Sequence, residues 1–155
     1  MKVADIMRRS AVTVHETDTL AEAARIMLQH ERRGLPVVNG AGEICGFLSV
    51  SDYLAREKAF PFSRFKAFQL FGKWVPNEGI EEIYDASHHL SVKDLMSTPA
   101  YTVTEEDTID RLVEMMSRYG LSRIPVVRDR IPVGIVTRLD LLKIMLRTPA
   151  AAPTD

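Results

Sequence analysis

The sequence predicts a mixed α/β (α+β) fold: two copies of a short β-α-β-β-α unit, with a helical, phenylalanine-rich insert between them. Three observations predict it. The first is an ordered internal repeat. Val3-Ala4-Asp5-Ile6-Met7, Thr13-Val14, Asp18-Thr19, Leu35-Pro36-Val37-Val38 and Gly46-Phe47-Leu48-Ser49-Val50-Ser51-Asp52 recur in the same order. Their counterparts are Val92-Lys93-Asp94-Leu95-Met96, Thr102-Val103, Asp107-Thr108, Ile124-Pro125-Val126-Val127 and Gly134-Ile135-Val136-Thr137-Arg138-Leu139-Asp140. Asp5 and Asp94 lie 89 positions apart, as do Pro36 and Pro125, while Asp52 and Asp140 lie 88 apart. The second observation is that apolar periodicity changes from helical to strand-like at the same point in each copy. The third is size. A unit of roughly 50 residues buries too little surface to be stable alone, so the copies are expected to stabilise each other.

Each element follows from local chemistry. A short strand at Thr13-Val14 or Thr102-Val103 opens the unit. Thr19 then begins a helix, with Glu22 three residues on as in a capping box. Leu20, Ala23, Ala24 and Met27 form one apolar face, repeated by Ile109, Leu112, Val113 and Met116. The β-branched runs after them read as strands, with Pro36 and Pro125 placed at strand starts, where a missing N–H costs least. Asn39-Gly40-Ala41-Gly42 and Arg128-Asp129-Arg130 read as turns. A further strand follows, over Ile44 to Val50 or Val133 to Val136. The closing helix begins near Ser51-Asp52 or Leu139-Asp140, with Leu54, or Leu141, Leu142 and Met145, as its apolar side.

These elements divide the chain into a first repeat at 1–56, an insert at 57–90, a second repeat at 91–147 and a Pro/Ala-rich tail at 148–155 that is expected to fray. The insert holds five of the six phenylalanines, Phe60, Phe62, Phe65, Phe68 and Phe71, followed by Trp74. Pro61 suits a helix start, Pro76-Asn77-Glu78-Gly79 a turn, and Ile80 to about Ser87 a second short helix. Ser91 can cap the next segment through Asp94. The rings are expected to pack on the repeat core or across a homodimer. The alternative is a docking surface for a partner protein or a membrane interface, helped by Lys58, Arg64, Lys66 and Lys73.

Composition excludes several function classes. The net charge of −1 over 155 residues gives no basic excess to recruit nucleic acid or an acidic membrane. No run approaches the roughly 18 apolar residues of a membrane span, and none has signal-peptide form. A cytoplasmic protein is expected. The single cysteine, Cys45, reads as a small core residue. The adjacent His88 and His89 point about 100° apart on a helix, a poor start for a metal site, and His15 and His30 are isolated. The carboxylates Glu16, Asp18, Glu105, Glu106 and Asp107 precede helices and read as caps. No nucleophile with an oriented base is visible, so no catalytic residue and no required cofactor or metal is expected.

The phrase that carries chemistry is Gly-φ-φ-Ser/Thr-x-x-Asp, where φ is apolar. It places a hydroxyl (Ser49 or Thr137) and a carboxylate (Asp52 or Asp140) together at a strand-to-helix junction. A carboxylate there can accept two hydrogen bonds from a vicinal diol, as in other nucleotide folds. Helix-start N–H groups favour anions, and the glycine allows close backbone approach. Ser, Thr and Asp are also ordinary N-caps. The recurrence of the phrase in one structural frame favours ligand binding.

The ordered set of motifs resembles a tandem pair of CBS (cystathionine-β-synthase-type) domains, a Bateman module, over about 3–54 and 92–146. The resemblance implies two β-α-β-β-α units related by a pseudo-twofold, sheets packed together, and frequent homodimerisation. It also implies clefts for adenosine-containing ligands: AMP, ADP, ATP or S-adenosylmethionine. On that basis Ser49, Asp52, Thr137 and Asp140 hold ribose. Backbone at Ala11, Val12, Thr13 and Leu35, and at Ala100, Tyr101, Thr102 and Ile124, lines the adenine slots. Arg32, Arg33 and Arg123 meet phosphate. Gly34 stands where the second copy has Arg123, and Ser10 where it has Pro99, so the clefts are expected to be unequal, with the second the better match. The function implied is a stand-alone regulatory ligand sensor. The alternative is a protein-interaction scaffold with vestigial clefts, working through the Phe-rich insert on an unidentified partner.

Overall fold

The computed structural model of the chain describes residues 1–54 and 77–147. The phenylalanines of the insert, Pro61 and Trp74 lie outside the described residues, as does the tail, and the expectations for them with it.

Two compact units form, each around its own three-stranded sheet. In the unit spanning Val12–Ala100, β1 (Val14–His15) runs parallel to β2 (Gly34–Val38), which pairs antiparallel with β3 (Ile44–Ser49). Its helices are α1 (Leu20–Gln29), α2 (Val50–Leu54), α3 (Asn77–His89) and α4 (Val92–Leu95). The other unit joins Met1–Ala11 to the chain from Tyr101 onward. It repeats the sheet with β4 (Val103–Thr104), β5 (Arg123–Arg128) and β6 (Ile131–Thr137). Around that sheet lie a 3-10 helix at Val3–Asp5, α5 (Ile109–Arg118) and a 3-10 helix at Arg138–Leu146. The architecture is the mixed α+β one that the repeat predicts.

The units do not follow the linear repeats. The leading segment of each repeat packs with the sheet of the other. Val92 and Leu95 join the core of Leu20, Ala23, Met27, Leu35, Val37 and Leu48. Val3 and Ile6, their counterparts 89 positions earlier, join the core of Val103, Leu112, Met116, Ile124, Val126 and Val136. All four side chains are at most 3% exposed, and burying each stabilises by roughly 1.5–3 kcal/mol. The exchange continues in the backbone. Ser97 and Phe47 exchange N–H···O bonds of 3.0 and 2.8 Å, and Arg8 and Ile135 exchange bonds of 2.9 and 3.0 Å. Each sheet thus gains a bridging residue along its β3 or β6 edge.

This edge contact explains two sequence features. Pro36 and Pro125 sit third in β2 and β5, the central strands, not at strand starts. Phe47 and Ile135, opposite them, spend their backbone groups on Ser97 and Arg8. β1 and β4 reach only Val37–Val38 and Val126–Val127. The prolines therefore face positions where no ladder bond is due, and their missing N–H costs little. Gly46 and Gly134 serve the same contact. A Cβ on Gly134 would lie 2.4 Å from the Arg8 carbonyl oxygen, and one on Gly46 would lie 2.5 Å from the Met96 sulfur.

Caps and turns follow the sequence closely, with local differences. Thr19 Oγ1 accepts from the Glu22 N–H at 3.1 Å, while the Glu22 carboxylate pairs with Arg25. Ser91 donates from N and Oγ to Asp94 Oδ2, both at 2.8 Å. Asn39 Oδ1 accepts from the N–H groups of Ala41 and Glu43, an Asx turn. Asp129 and Arg130 both take positive φ, 50° and 68°, as a two-residue hairpin turn of the primed type requires. Asn77 and Gly79 lie in α3 instead of a turn. A glycine within a helix costs about 1 kcal/mol. Packing of Ile83, Ala86 and Leu90 on the core of this unit offsets it. Val113, expected on the buried face of α5, is exposed. The closing segment of the second repeat is a 3-10 helix in which Leu142 and Met145, expected on its apolar side, are also exposed, as is Leu54 in α2.

Gly134→Ala should destabilise the protein more than Gly46→Ala. The first meets a backbone oxygen at 2.4 Å and forces a backbone shift, whereas the second mainly displaces the flexible Met96 side chain, with the Ser97 carbonyl oxygen farther off at 3.2 Å. Overpacking of this kind costs about 1–3 kcal/mol. Urea unfolding of both variants measures the difference, and equal losses would contradict the close-approach account.

Candidate functional site

Each Gly-φ-φ-Ser/Thr-x-x-Asp phrase turns a strand into a short helix. Ser49 ends β3, and Asp52 falls in the first turn of α2. The Asp52 Oδ2 atom accepts from Ser49 N at 2.7 Å and Ser49 Oγ at 3.2 Å. Thr137 ends β6, and Asp140 Oδ2 accepts from Thr137 N at 2.9 Å and Oγ1 at 2.8 Å. The hydroxyl and carboxylate do converge, as a cap in which the aspartate reaches back to the start of the turn. The three-residue spacing accounts for this convergence; the direct bond between hydroxyl and carboxylate is not evident from spacing alone.

Burial sets these carboxylates apart. Among the described residues, the buried charged ones are Asp52, 7% exposed, and Asp140, 1% exposed. Burying a charge is costly unless it is paired and hydrogen-bonded. The second oxygens supply that pairing. Ser97 Oγ donates to Asp52 Oδ1 at 2.8 Å. Arg8 Nε lies 3.1 Å and Lys143 Nζ 2.8 Å from Asp140 Oδ1. Burial pushes the Asp140 carboxyl up, but hydrogen bonds from Lys143, Thr137 and Arg8 outweigh it. Its pKa lies below the ordinary carboxylate value.

The remaining candidates are placed as follows. Arg123 pairs in register with Thr137, and Gly34 with Ser49. The Arg33 carbonyl accepts from the Val50 N–H at 3.0 Å, which holds Arg33 against the start of α2. Arg32 and Arg33 also line a groove of about 810 Å³ together with Leu28, Val50, Tyr53 and Leu54. Leu35 and Ile124 are fully buried. Ala11, Val12 and Thr13 are half-buried on the approach to β1, as are Ala100 and Thr102 on the approach to β4. Tyr101 is partly exposed and stacks on Tyr119, with centroids 4.2 Å apart.

Arg8, Ser97, Lys143 and Tyr119 escaped the sequence reading. The signal for the first two was present: Arg8 and Ser97 follow Met7 and Met96, 89 positions apart. Tyr53, also unforeseen, donates from its hydroxyl to the Leu20 carbonyl at 3.0 Å, and burial and Asp52 push its pKa up to about 12. Cys45 is half-buried, with its thiol pushed up to about 11 by burial and the Glu16 carboxylate, so it is unreactive near neutrality. Among the described residues no three His, Cys, Asp or Glu side chains could together hold a metal ion, and no helix is long and apolar enough to cross a membrane.

Comparison with known proteins places this geometry. The CBS domain family matches residues 3–58 and 92–147. The chain is similar in structure to the CBS domain of a CBS domain containing membrane protein from Sphaerobacter thermophilus. That likeness has 36% identity and a TM-score of 0.76, covering 92% of this chain and 86% of the other. The CBS domain pair of protein MJ0100, solved with 5′-methylthioadenosine and S-adenosyl-L-methionine, is 26% identical with a TM-score of 0.66, covering 94% of this chain and 95% of the other. An uncharacterized protein of Methanocaldococcus jannaschii is 31% identical over 92% of this chain but only 31% of its own length. The chain thus spans about a third of that curated relative. The two family matches fall on the two repeats, and each repeat ends in its own Ser/Thr-x-x-Asp turn: the chain belongs to the CBS domain family, as a tandem pair of such domains.

Proposed function

We propose that the chain is a regulatory module that binds an adenosine-containing ligand, an adenine nucleotide or S-adenosylmethionine, and signals by a change in conformation or partner affinity. The observation that carries this reading is the burial of Asp52 and Asp140, each beside a hydroxyl at a strand-to-helix turn. A carboxylate at such a turn can accept from a ribose diol in exchange for donors it now holds. The adenosyl ligands of the MJ0100 domain pair support the ligand class. Arg123, in register with Thr137, is suited to phosphate, with Arg32 and Arg33 in the first repeat. Binding would act by population shift, favouring the conformation with higher ligand affinity.

Exposed apolar side chains favour a second property, self-association. Leu139, Leu142, Met145 and Leu146, close together in one closing segment, are each half exposed or more. Such surface is normally covered. A cytoplasmic homodimer that buries it agrees with this reading.

Isothermal titration against AMP, ADP, ATP and S-adenosylmethionine tests the ligand. At a hundredfold excess over Kd, a ligand stabilises the folded state by about 2.7 kcal/mol, which raises Tm by several degrees. No heat and no melting shift at millimolar ligand would end the reading. Sedimentation velocity tests the dimer: Leu142→Asp with Met145→Asp should shift it to monomer, and a monomeric parent chain would refute it.

The reading also needs Asp140 to be ionised. Its folded-state pKa lies below the ordinary 3.8, so its charge stabilises the fold above that value. That stability is lost as pH falls through the folded-state pKa. Asp140→Asn should therefore flatten the acid limb of a Tm profile measured from pH 6 down to pH 2, below the ordinary carboxylate value. An unchanged profile would mean the carboxylate contributes no charge there.

A further inference from the structure

The donors around Asp140 leave no room for a diol. Oδ2 takes the Thr137 N–H and hydroxyl, and Oδ1 takes Arg8 Nε and Lys143 Nζ. A carboxylate has about four lone-pair sites, so all are engaged. A ribose reaching Asp140 must displace donors. The Thr137 N–H is fixed by the turn. Arg8 and Lys143 are the movable pair, with side chains 41% and 47% exposed. Lys143 also donates to the Ile6 carbonyl at 2.8 Å, so it keeps one partner when it moves.

Displacement has an electrostatic consequence. Two cations lose their oxygen while staying within reach of it, and Arg123 stands in register with Thr137 nearby. A neutral or cationic ligand leaves those cations competing with its diol for Asp140. An anionic ligand gives them a new partner, and charge-assisted bonds to phosphate are among the strong ones. We propose that the site closed by Thr137 and Asp140 selects a phosphorylated nucleoside over adenosine or an S-adenosyl sulfonium. Arg8 and Lys143 pass from the Asp140 carboxylate to the ligand's phosphate as the diol takes their place. This rests on the reading of the Thr137–Asp140 turn as a ribose site. Arg8 comes from the exchanged leading segment, and its counterpart, Ser97, is a hydroxyl that donates to Asp52 at 2.8 Å. The selectivity is therefore assigned to the second repeat's turn.

The test is isothermal titration of the full chain with AMP, adenosine and S-adenosylmethionine, repeated on Arg8→Gln, Arg8→Lys and Lys143→Gln. The backbone pairing of residue 8 with Ile135 survives any side chain there, and Lys143→Gln gives an independent reading should Arg8→Gln fold poorly. AMP should bind about tenfold or more tightly than adenosine, as a charge-assisted contact allows. Arg8→Gln and Lys143→Gln should each lose most of that advantage while leaving adenosine affinity unchanged or improved, and Arg8→Lys should retain part of it. Equal affinity for AMP and adenosine in the parent chain would overturn the proposal while leaving the ribose site standing. So would variants that weaken AMP and adenosine alike, since that is the mark of a merely structural role. Failure of all three ligands to bind would overturn the ribose reading itself, and this selectivity with it.

Discussion

The exchange of backbone bonds between Arg8 and Ile135, and between Ser97 and Phe47, is the constraint on which both units depend. Each three-stranded sheet has a β3 or β6 edge with N–H and C=O groups facing outward, and such groups need partners. The leading segment of the opposite repeat supplies one residue to bridge them. The same segment brings two aliphatic side chains into the core, Val3 and Ile6 or Val92 and Leu95. Neither repeat closes its own sheet edge with its own leading segment. A repeat cut at its linear boundary would lose both the edge partner and part of its core.

The exchange also accounts for residue choices that look functional in isolation. The glycine that opens each closing phrase resembles a ligand-approach device. In the structure it is the exchanged chain that approaches, with the Arg8 carbonyl occupying the space a Cβ on Gly134 would need. The prolines of the Leu-Pro-Val-Val and Ile-Pro-Val-Val runs read as strand-start residues, yet they sit inside central strands. They are tolerated because the residues opposite them bond outward to the exchanged segment. Glycine and proline, the two residues most constrained by backbone geometry, are thus set by one contact.

Most of the fold was legible because the repeat and its periodicity are local signals. Leu20, Ala23 and Met27 declare a buried helix face, and Thr19 and Ser91 declare caps, whatever lies elsewhere in the chain. The exchange was not legible, because Val3 and Ile6 would satisfy the same apolar pattern against either sheet. The start of α3 was misread for a related reason. Asn77-Glu78-Gly79 has turn chemistry, and its helix is sustained by packing of Ile83, Ala86 and Leu90, which local propensity does not contain. At the candidate site, the hydroxyl–carboxylate pair was legible from spacing. Arg8 and Lys143 were not: one is 132 positions from Asp140 and depends on the exchange, and the other is a lysine of a type common on any helix surface.

The closing turns serve the fold and carry something beyond it. As caps, Asp52 and Asp140 satisfy the backbone N–H groups of Ser49 and Thr137. A neutral side chain such as asparagine could accept those backbone bonds without bringing a charge out of water. An exposed capping aspartate is therefore unremarkable, but these two are nearly inaccessible, and an ionised carboxylate in such a place is disfavoured until donors surround it. At Asp140 the fold supplies two cations for that purpose, one of them delivered by the exchanged segment. Capping alone accounts for neither the charge nor its escorts. A charged group whose counter-ions sit on long, half-exposed side chains can trade those counter-ions for a ligand at modest cost. A binding turn needs that property, and a purely structural cap has no use for it.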